Sequence, residues 1–539
     1  MYNTQQRFGG NMRVTLIASL ALCLASSAIA QEHQHHAGGA NLGTVNFQTS
    51  CAPAVQADFD HAVALLHSFE YDEAGDAFLA VAKRDPNCAM TYWGAAMTHF
   101  HGLWDEVDVE AGHQLAEQAR EIAASNPKTS PREKQYIEAV SAIYADSDGT
   151  AHARAKKFSD AMAEVHASNP ADDEAAIFYA LSLDESADRD PNYSNQRKCG
   201  EILEPLFRKL PTHPGVTHYL IHCYDNPALA EKGIAAARNY AKIAPDSSHA
   251  THMPSHIFVR LGMWPETIQS NTLSMNAAER DKMASPCQSR GNELHAMHFL
   301  QFAYLQVGQQ KEAKQVAERA LKLPDLKDCE PGDYVAASYA LDAHDWEMAS
   351  RLAAGQGDRG GREDEIIWLA IGVGAARTGN IARAQQAEQG LARWRDEASK
   401  TRGTPCCDGP RLVVAAWIAE AQQDHEKAAE LMRSAVERGM NADQMTWVHP
   451  PSSEQLGDLL MEQHKPQEAL AAYQKALEGT PNLFNALYGA ARTADAAGNT
   501  AVAAGYYRKL AEIAGKGDRP EIEVARKKLQ ESKPSGGGR

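Results

Sequence analysis

Phe, Trp and Tyr together make up only 7% of the 539 residues. That scarcity, with Ala-rich stretches such as Gly233–Ala237 and Ala469–Ala472, points away from sheet and toward helix. Basic residues are also short. The chain has 53 Lys and Arg against 70 Asp and Glu, a formal net charge of −17. Such a chain is repelled by phosphate backbones, so nucleic acid is not an expected partner. Beyond the first 30 residues no run of 18 apolar residues occurs, so no membrane span follows the leader and the mature chain is expected to be soluble. H-E-x-x-H is missing, since Tyr219 follows His218, and a zincin protease is not supported. No G-x-S-x-G or Cys/His signature of a nucleophilic hydrolase stands out. What remains is ordinary for a folded protein: 44% apolar and 23% charged residues. The length is too great for one core, so several domains or a repeat array are expected.

The stretch Met12–Ala30 reads as a removable signal peptide. Arg13 supplies the positive end, Val14–Leu24 the apolar run, and Ala28-Ile29-Ala30 a small-residue cleavage site before Gln31. Cys23 follows Leu22 rather than a small residue, which argues against a lipoprotein site. Export implies a periplasmic or secreted protein in an oxidising compartment. Cys51 and Cys88 flank one helical hairpin and are the best disulfide candidates, whereas Cys406 and Cys407 are adjacent and poorly placed to bond each other. His33, His35 and His36, on a Gly/Ala-rich segment, are read either as a weak metal-capturing arm or as a disordered tether.

A fixed period runs through the chain. YDEAGDAFLAVAKRDPN (Tyr71–Asn87) carries Ala74, Phe78 and Pro86 at the spacing of a repeat's second helix. PQEALAAYQKALEGTPN and TAVAAGYYRKLAEIAG align at an offset of 34, Ala469 with Ala503 and Tyr473 with Tyr507, and Leu305–Pro324 fits the same template. On these residues the chain resembles the tetratricopeptide repeat (TPR) family. The likeness is good at Asp58–Ala96, Pro214–Asn276, Glu293–Pro324 and Pro450–Ala514, and looser over Ser130–Pro211 and Val335–Met440. The blocks HPGVTHYLIHCYDNP and SHATHMPSHIFVRLGMW look like those of exported bacterial TPR proteins. The resemblance implies an all-α solenoid of helical hairpins, a right-handed superhelix whose concave face is lined by the first helix of each repeat. It also implies protein or peptide binding through the groove, without naming a partner.

The expected organisation is a signal peptide (1–30), a His-rich flexible leader (31–52) and an N-terminal repeat array carrying the histidines (53–328). Divergent helical repeats (329–445), a C-terminal repeat pair (446–530) and a disordered tail (531–539) follow. Glycines around Gly360 and Gly361, and in TRGTPCCDGP, suggest breaks in the array.

The 22 histidines carry the functional signal. With Pro214 and Ser248 as first positions of successive repeats, His218, His222 and Asp225 take positions 5, 9 and 12. His249, His252 and His256 take positions 2, 5 and 9 of the next repeat. After an insertion at Glu279–Gly291, His295 and His298 take positions 2 and 5 of a third. These positions share one helical stripe. His218, His222, Asp225, His249, His252, His256, His295 and His298 are therefore the candidate metal ligands, since imidazoles with a carboxylate suit Zn, Cu, Fe or Mn ions. The other reading of the stripe is a hydrogen-bonded polar face or a peptide-binding surface. His67 and His101, at position 13 of the first two repeats, are weaker candidates, and His213 reads as an incidental turn residue. Pro254 is expected either to kink its helix, with Met253 biased away from α geometry, or to begin a shorter helix.

Two functional classes follow. One is a metal-dependent enzyme, hydrolase or oxidase, with Asp184, Glu185 or Glu293 as general base and Arg260 as an anion-holding group. The other is a non-catalytic scaffold or metal carrier. A peptide clamp would call for Lys, Arg and Asn on the central stripe, which instead carries His and Asp.

Overall fold

The computed structural model describes residues 41–531 apart from 147–148, 189, 281–284, 325, 327–328, 330, 354–361, 403–406 and 440–448. Residues 1–40, with the stretch read as a signal peptide and with His33, His35 and His36, together with Gly360, Gly361, Cys406 and residues 532–539, lie outside the described residues.

Within them the chain is all-α: 26 helices in sequence, with a two-residue hairpin (Phe100–His101 with Glu106–Val107) as the sheet. Helices follow one another through short turns and pack in antiparallel pairs. Helix starts match local chemistry. Ser130 and Glu133 form a capping box ahead of the helix Pro131–Tyr144. Pro214 and Pro286 occupy first turns, where a missing N–H costs nothing.

The 34-residue frame is visible in the packing. Ala74, Phe78, Ala469, Tyr473, Ala503 and Tyr507 are all buried. Each ring needs a small residue opposite it: a Cβ on Gly489 would run into the Tyr473 ring, and one on Gly94 into the Phe78 ring. Hairpins continue where the repeat signature is loose, as in Ala151–Ser168 with Asp173–Glu185 and Arg362–Arg377 with Ile381–Arg402. Pairing requires an apolar stripe on each helix, not the particular signature residues. The fold is thus the helical-hairpin solenoid of the tetratricopeptide type.

Both ends also close back on the middle repeats, which contact between sequential neighbours alone would not produce. At one end the Ser247 hydroxyl donates to Glu70 (2.6 Å), and the Thr44 N–H donates to the Thr212 carbonyl (2.9 Å). At the other, Trp264 Nε1–H donates to the Asn482 carbonyl (2.9 Å) and the Phe484 N–H to Gln306 Oε1 (2.8 Å).

Besides the disulfide bond that Cys407 makes, three pairs are joined among the described residues: Cys51–Cys88, as expected, Cys199–Cys223 and Cys287–Cys329. The latter two fasten the helices Pro214–Tyr224 and Pro286–Gln306, which carry candidate histidines. Such bonds belong to an oxidising environment. No helix among the described residues is long and apolar enough to cross a membrane.

One local expectation needs correction. Pro254 does begin a new helical segment, Pro254–Arg260, after Ser248–His252, but Met253 stays in α geometry (φ −51°, ψ −35°). Its N–H is held by the His249 carbonyl (2.9 Å) and its side chain is buried, which outweighs the steric bias of a residue before proline. The Glu279–Gly291 insertion is partly helical. The preceding helix runs to Arg280 and the next begins at Pro286, started by the Ser285 side chain accepting from the Gln288 N–H.

Candidate metal centre

Two triads of histidines converge, each by the same rule. Positions 5 and 9 of one repeat meet position 2 of the next. The first triad is His218, His222 and His249, and the second is His252, His256 and His295; the candidate donor atoms within each lie within 4.8 Å of one another. In the first, His218 Nε2 is 3.0 Å from His249 Nε2 and 3.1 Å from His222 Nε2. In the second, His252 Nε2 is 3.0 Å from His256 Nε2, and the His295 ring centroid lies 4.4 Å from that of His252. Tetrahedral ligation at about 2.0–2.1 Å sets donor atoms about 3.3 Å apart, so these spacings are close to those of a metal's ligands.

The opposite edges of these rings fix which nitrogen is bare. His218 Nδ1 is 2.6 Å from the His67 carbonyl oxygen, which can only accept, so Nδ1 carries the proton. His252 Nδ1–H donates to Asn271 Oδ1 (2.7 Å), an amide oriented by its own donation to the Thr267 carbonyl. His256 Nδ1–H donates to Asp225 (2.8 Å), whose other oxygen accepts from Arg260 Nε (2.8 Å). With Nδ1 so committed, each ring turns its Nε2 edge toward its neighbours. In the second triad the Nε2 atoms of His252 and His256 face each other at 3.0 Å, a contact that one cation shared between them, a proton or a metal ion, satisfies. In the first, the single lone pair of His218 faces two nitrogens and can accept from one.

Electrostatics favour the neutral form of four of the six rings. Burial, reinforced by neighbouring imidazoles, holds His218, His249 and His252 well below the usual histidine range and pushes His222 down to about 3. Groups with lowered folded values bind protons only after unfolding. The sign follows: their contribution is intact above the unfolded value of about 6.5 and is lost as pH falls below it. Metal-free protein is expected to lose up to about 1.4 kcal/mol of stability per pH unit for each such histidine below pH 6. Urea melts at pH 7, 6 and 5 read this directly, and a flat profile would contradict the neutral, buried assignment.

Phe69 packs against the rings of His218, His222 and His249, with centroids at 4.4, 5.6 and 5.7 Å. Phe299 does the same for His252, His256 and His295 at 4.6, 5.2 and 5.2 Å. His222 and His249 are half-buried and His295 is exposed, so the cluster opens to solvent on one side.

The remaining candidates fall elsewhere. Asp225 stands behind His256 as its hydrogen-bond acceptor rather than among the converging nitrogens. Asp225→Asn should weaken metal binding about 10–100-fold while leaving both triads in place, which a chelator competition measures. His298 lies against Tyr334 (5.2 Å between centroids), outside both triads. The rule of positions 5 and 9 explains why, since the residue four after His298 is Phe302. Arg260 is engaged by Asp225 and Glu293 by Arg319 (2.6 Å), so neither matches the anion-holding or base role considered for it. Burial pushes Asp184 up to about 7 and Glu185 well above the carboxylate range, and Glu185 Oε2 is buried without a hydrogen-bond partner. His101 stacks on Tyr71 (4.1 Å) beside Glu106, away from the triads.

A third group, His67, Glu174 and His213, was not legible as a unit. Glu174 accepts from His67 Nε2–H (3.0 Å) and His213 Nε2–H (2.9 Å), and Tyr219 O–H donates to His67 Nδ1 (2.9 Å). His213, read as incidental, caps the helix Pro214–Tyr224 by accepting the Val216 N–H. Burial favours a neutral Glu174, but the two imidazoles outweigh it and hold the carboxyl below its usual range. Every polar edge here is paired, which makes this a structural network. It supports the first triad through the His67 carbonyl, and Gly215 leaves room for the His67 ring. The cluster of Cys51, Cys88 and Asp85 is accounted for by the Cys51–Cys88 disulfide.

No family model matches the chain. No curated protein matches it. Among solved structures, a monomeric mutant of IFIT1 with Gppp-AAAA is similar at 10% identity over 87% of this chain and 95% of that one, with a TM-score of 0.35. The Cut9–Hcn1 hetero-tetramer of the APC/C aligns at 12% identity over 88% of this chain and 89% of that one, TM-score 0.32. Yeast Tom70 aligns at 12% identity over 89% and 96%, TM-score 0.31. The architecture assigned above stands on the helix pairs and the 34-residue frame.

Proposed function

We propose that this chain is an exported metalloprotein that holds first-row transition metal ions in its two histidine triads. The observation that supports it is the meeting of the Nε2 atoms of His252 and His256 at 3.0 Å, each ring's other nitrogen already committed to a hydrogen bond. Three neutral imidazoles leave at least one coordination position for water or substrate, the arrangement of catalytic rather than saturated structural sites. The half-buried His222 and His249 and the exposed His295 give that position access to solvent.

On this reading the protein is a metal-dependent enzyme, hydrolase or oxidase. Glu185, whose carboxyl burial pushes well above its usual range and whose Oε2 has no hydrogen-bond partner, is the better acid–base candidate than Glu293, which is engaged by Arg319. A periplasmic or secreted location fits the Met12–Ala30 leader and the three disulfides. A metal carrier or peptide-binding scaffold is the second reading, favoured by the repeat architecture.

Metal analysis of protein purified without chelators tests the proposal. Near-stoichiometric metal supports it. A chain without metal that also fails to take up zinc or copper from solution sinks it and leaves the scaffold.

A further inference from the structure

We propose that the two triads act as one dinuclear centre, closed by a small anion taken from solution that bridges both ions, and that copper is the metal their donors favour. This rests on the metal reading above and goes beyond it in nuclearity, metal and ligand class.

The repeat makes the two sites equivalent, each built from an i, i+4 pair on one first helix and a position-2 histidine from the next. The same repeat makes them neighbours. His249 belongs to the first triad and His252 to the second, three residues along one helix, with ring centroids 6.4 Å apart. His222 and His256, at position 9 of adjacent repeats, also stand 6.4 Å apart. The two sets of lone pairs therefore serve ions close enough to share a ligand.

Charge then decides what the shared ligand is. All six donors are imidazoles, none of them anionic. The carboxylate behind them, Asp225, is already matched by the Arg260 guanidinium. Two divalent ions would bring four positive charges into a largely buried cluster with no anionic donor among its six ligands. Uncompensated charge in such a place is costly. One hydroxide or similar anion touching both ions reduces that cost at both sites at once. Donor chemistry points to the metal. Imidazole-only sites suit copper and zinc better than manganese, magnesium or calcium, which prefer oxygen, and affinity along the first row peaks at copper(II).

The test uses the full chain loaded with two equivalents of copper(II), with azide as the bridging probe. A bridged pair couples its two spins, so the expected electron paramagnetic signal accounts for far fewer spins than the copper bound. Azide should saturate at one per two copper ions. His256→Ala should retain one copper with its full spin and lose the azide band. His298→Ala, outside both triads, should leave copper, spin count and azide unchanged. Two retained ions with a full spin count, or azide binding independently at each, would overturn the dinuclear proposal while leaving the metal reading intact. Failure to retain copper would overturn both. If His256→Ala does not fold, the spin count and azide stoichiometry of the unaltered chain decide the matter alone.

Discussion

His218→Ala is expected to remove one metal ion from each chain, and His252→Ala the other, with losses in affinity well beyond the 10–100-fold that an outer hydrogen-bond partner is worth. In each case two imidazoles remain, too few to compete with water for a borderline ion at neutral pH. The pattern across the other histidines is as informative as the losses. His298→Ala should keep its full metal content, although it shares the repeat position of His218 and His252, because its ring lies against Tyr334. His464→Ala, at a turn far along the sequence, should be silent. Metal analysis of the four variants separates three possibilities. Loss in the first two alone matches the triads, loss in the first three matches a whole stripe, and uniform retention means that the histidines are not ligands.

Glu174→Ala carries the largest expected effect on stability. The substitution leaves the Nε2–H groups of His67 and His213 buried without an acceptor, and the destabilisation expected for breaking a buried charged network is about 3–5 kcal/mol. The effect should reach the metal site as well. His67 presents its carbonyl to His218 Nδ1, so loosening His67 frees the imidazole that anchors the first triad. Urea unfolding measures the first consequence and metal affinity the second. A change below about 1 kcal/mol would mean that the network is no stronger than an ordinary surface pair.

The repeat frame was readable because it is local. The ring and small-residue alternation of Tyr71–Asn87 and Pro466–Asn482 places helices at their observed positions, and first positions at Pro214 and Ser248 coincide with helix starts. The histidine stripe was readable for the same reason, since an i, i+4 pair such as His218 and His222 shares a face on any helix. The Glu174 network was not readable. His67, Glu174 and His213 lie 107 and 39 residues apart in their contacts, and no period relates them. Phe69 and Phe299, the rings packed on the triads, have no signature beyond being apolar.

Period and helix geometry thus decided, within each stretch of 34 residues, that this chain forms hairpins and that its imidazoles gather on one side. Which of those imidazoles meet was decided by closure of the array. His67 reaches His218 across 151 residues, Ser247 reaches Glu70 across 177, and Cys287–Cys329 ties down the helix that brings His295 to His252. The physical reason is that a helix sets the direction of a side chain within one turn, whereas convergence of side chains from different helices depends on how many hairpins curve, and by how much. That curvature is summed from small packing angles, and no single segment contains it.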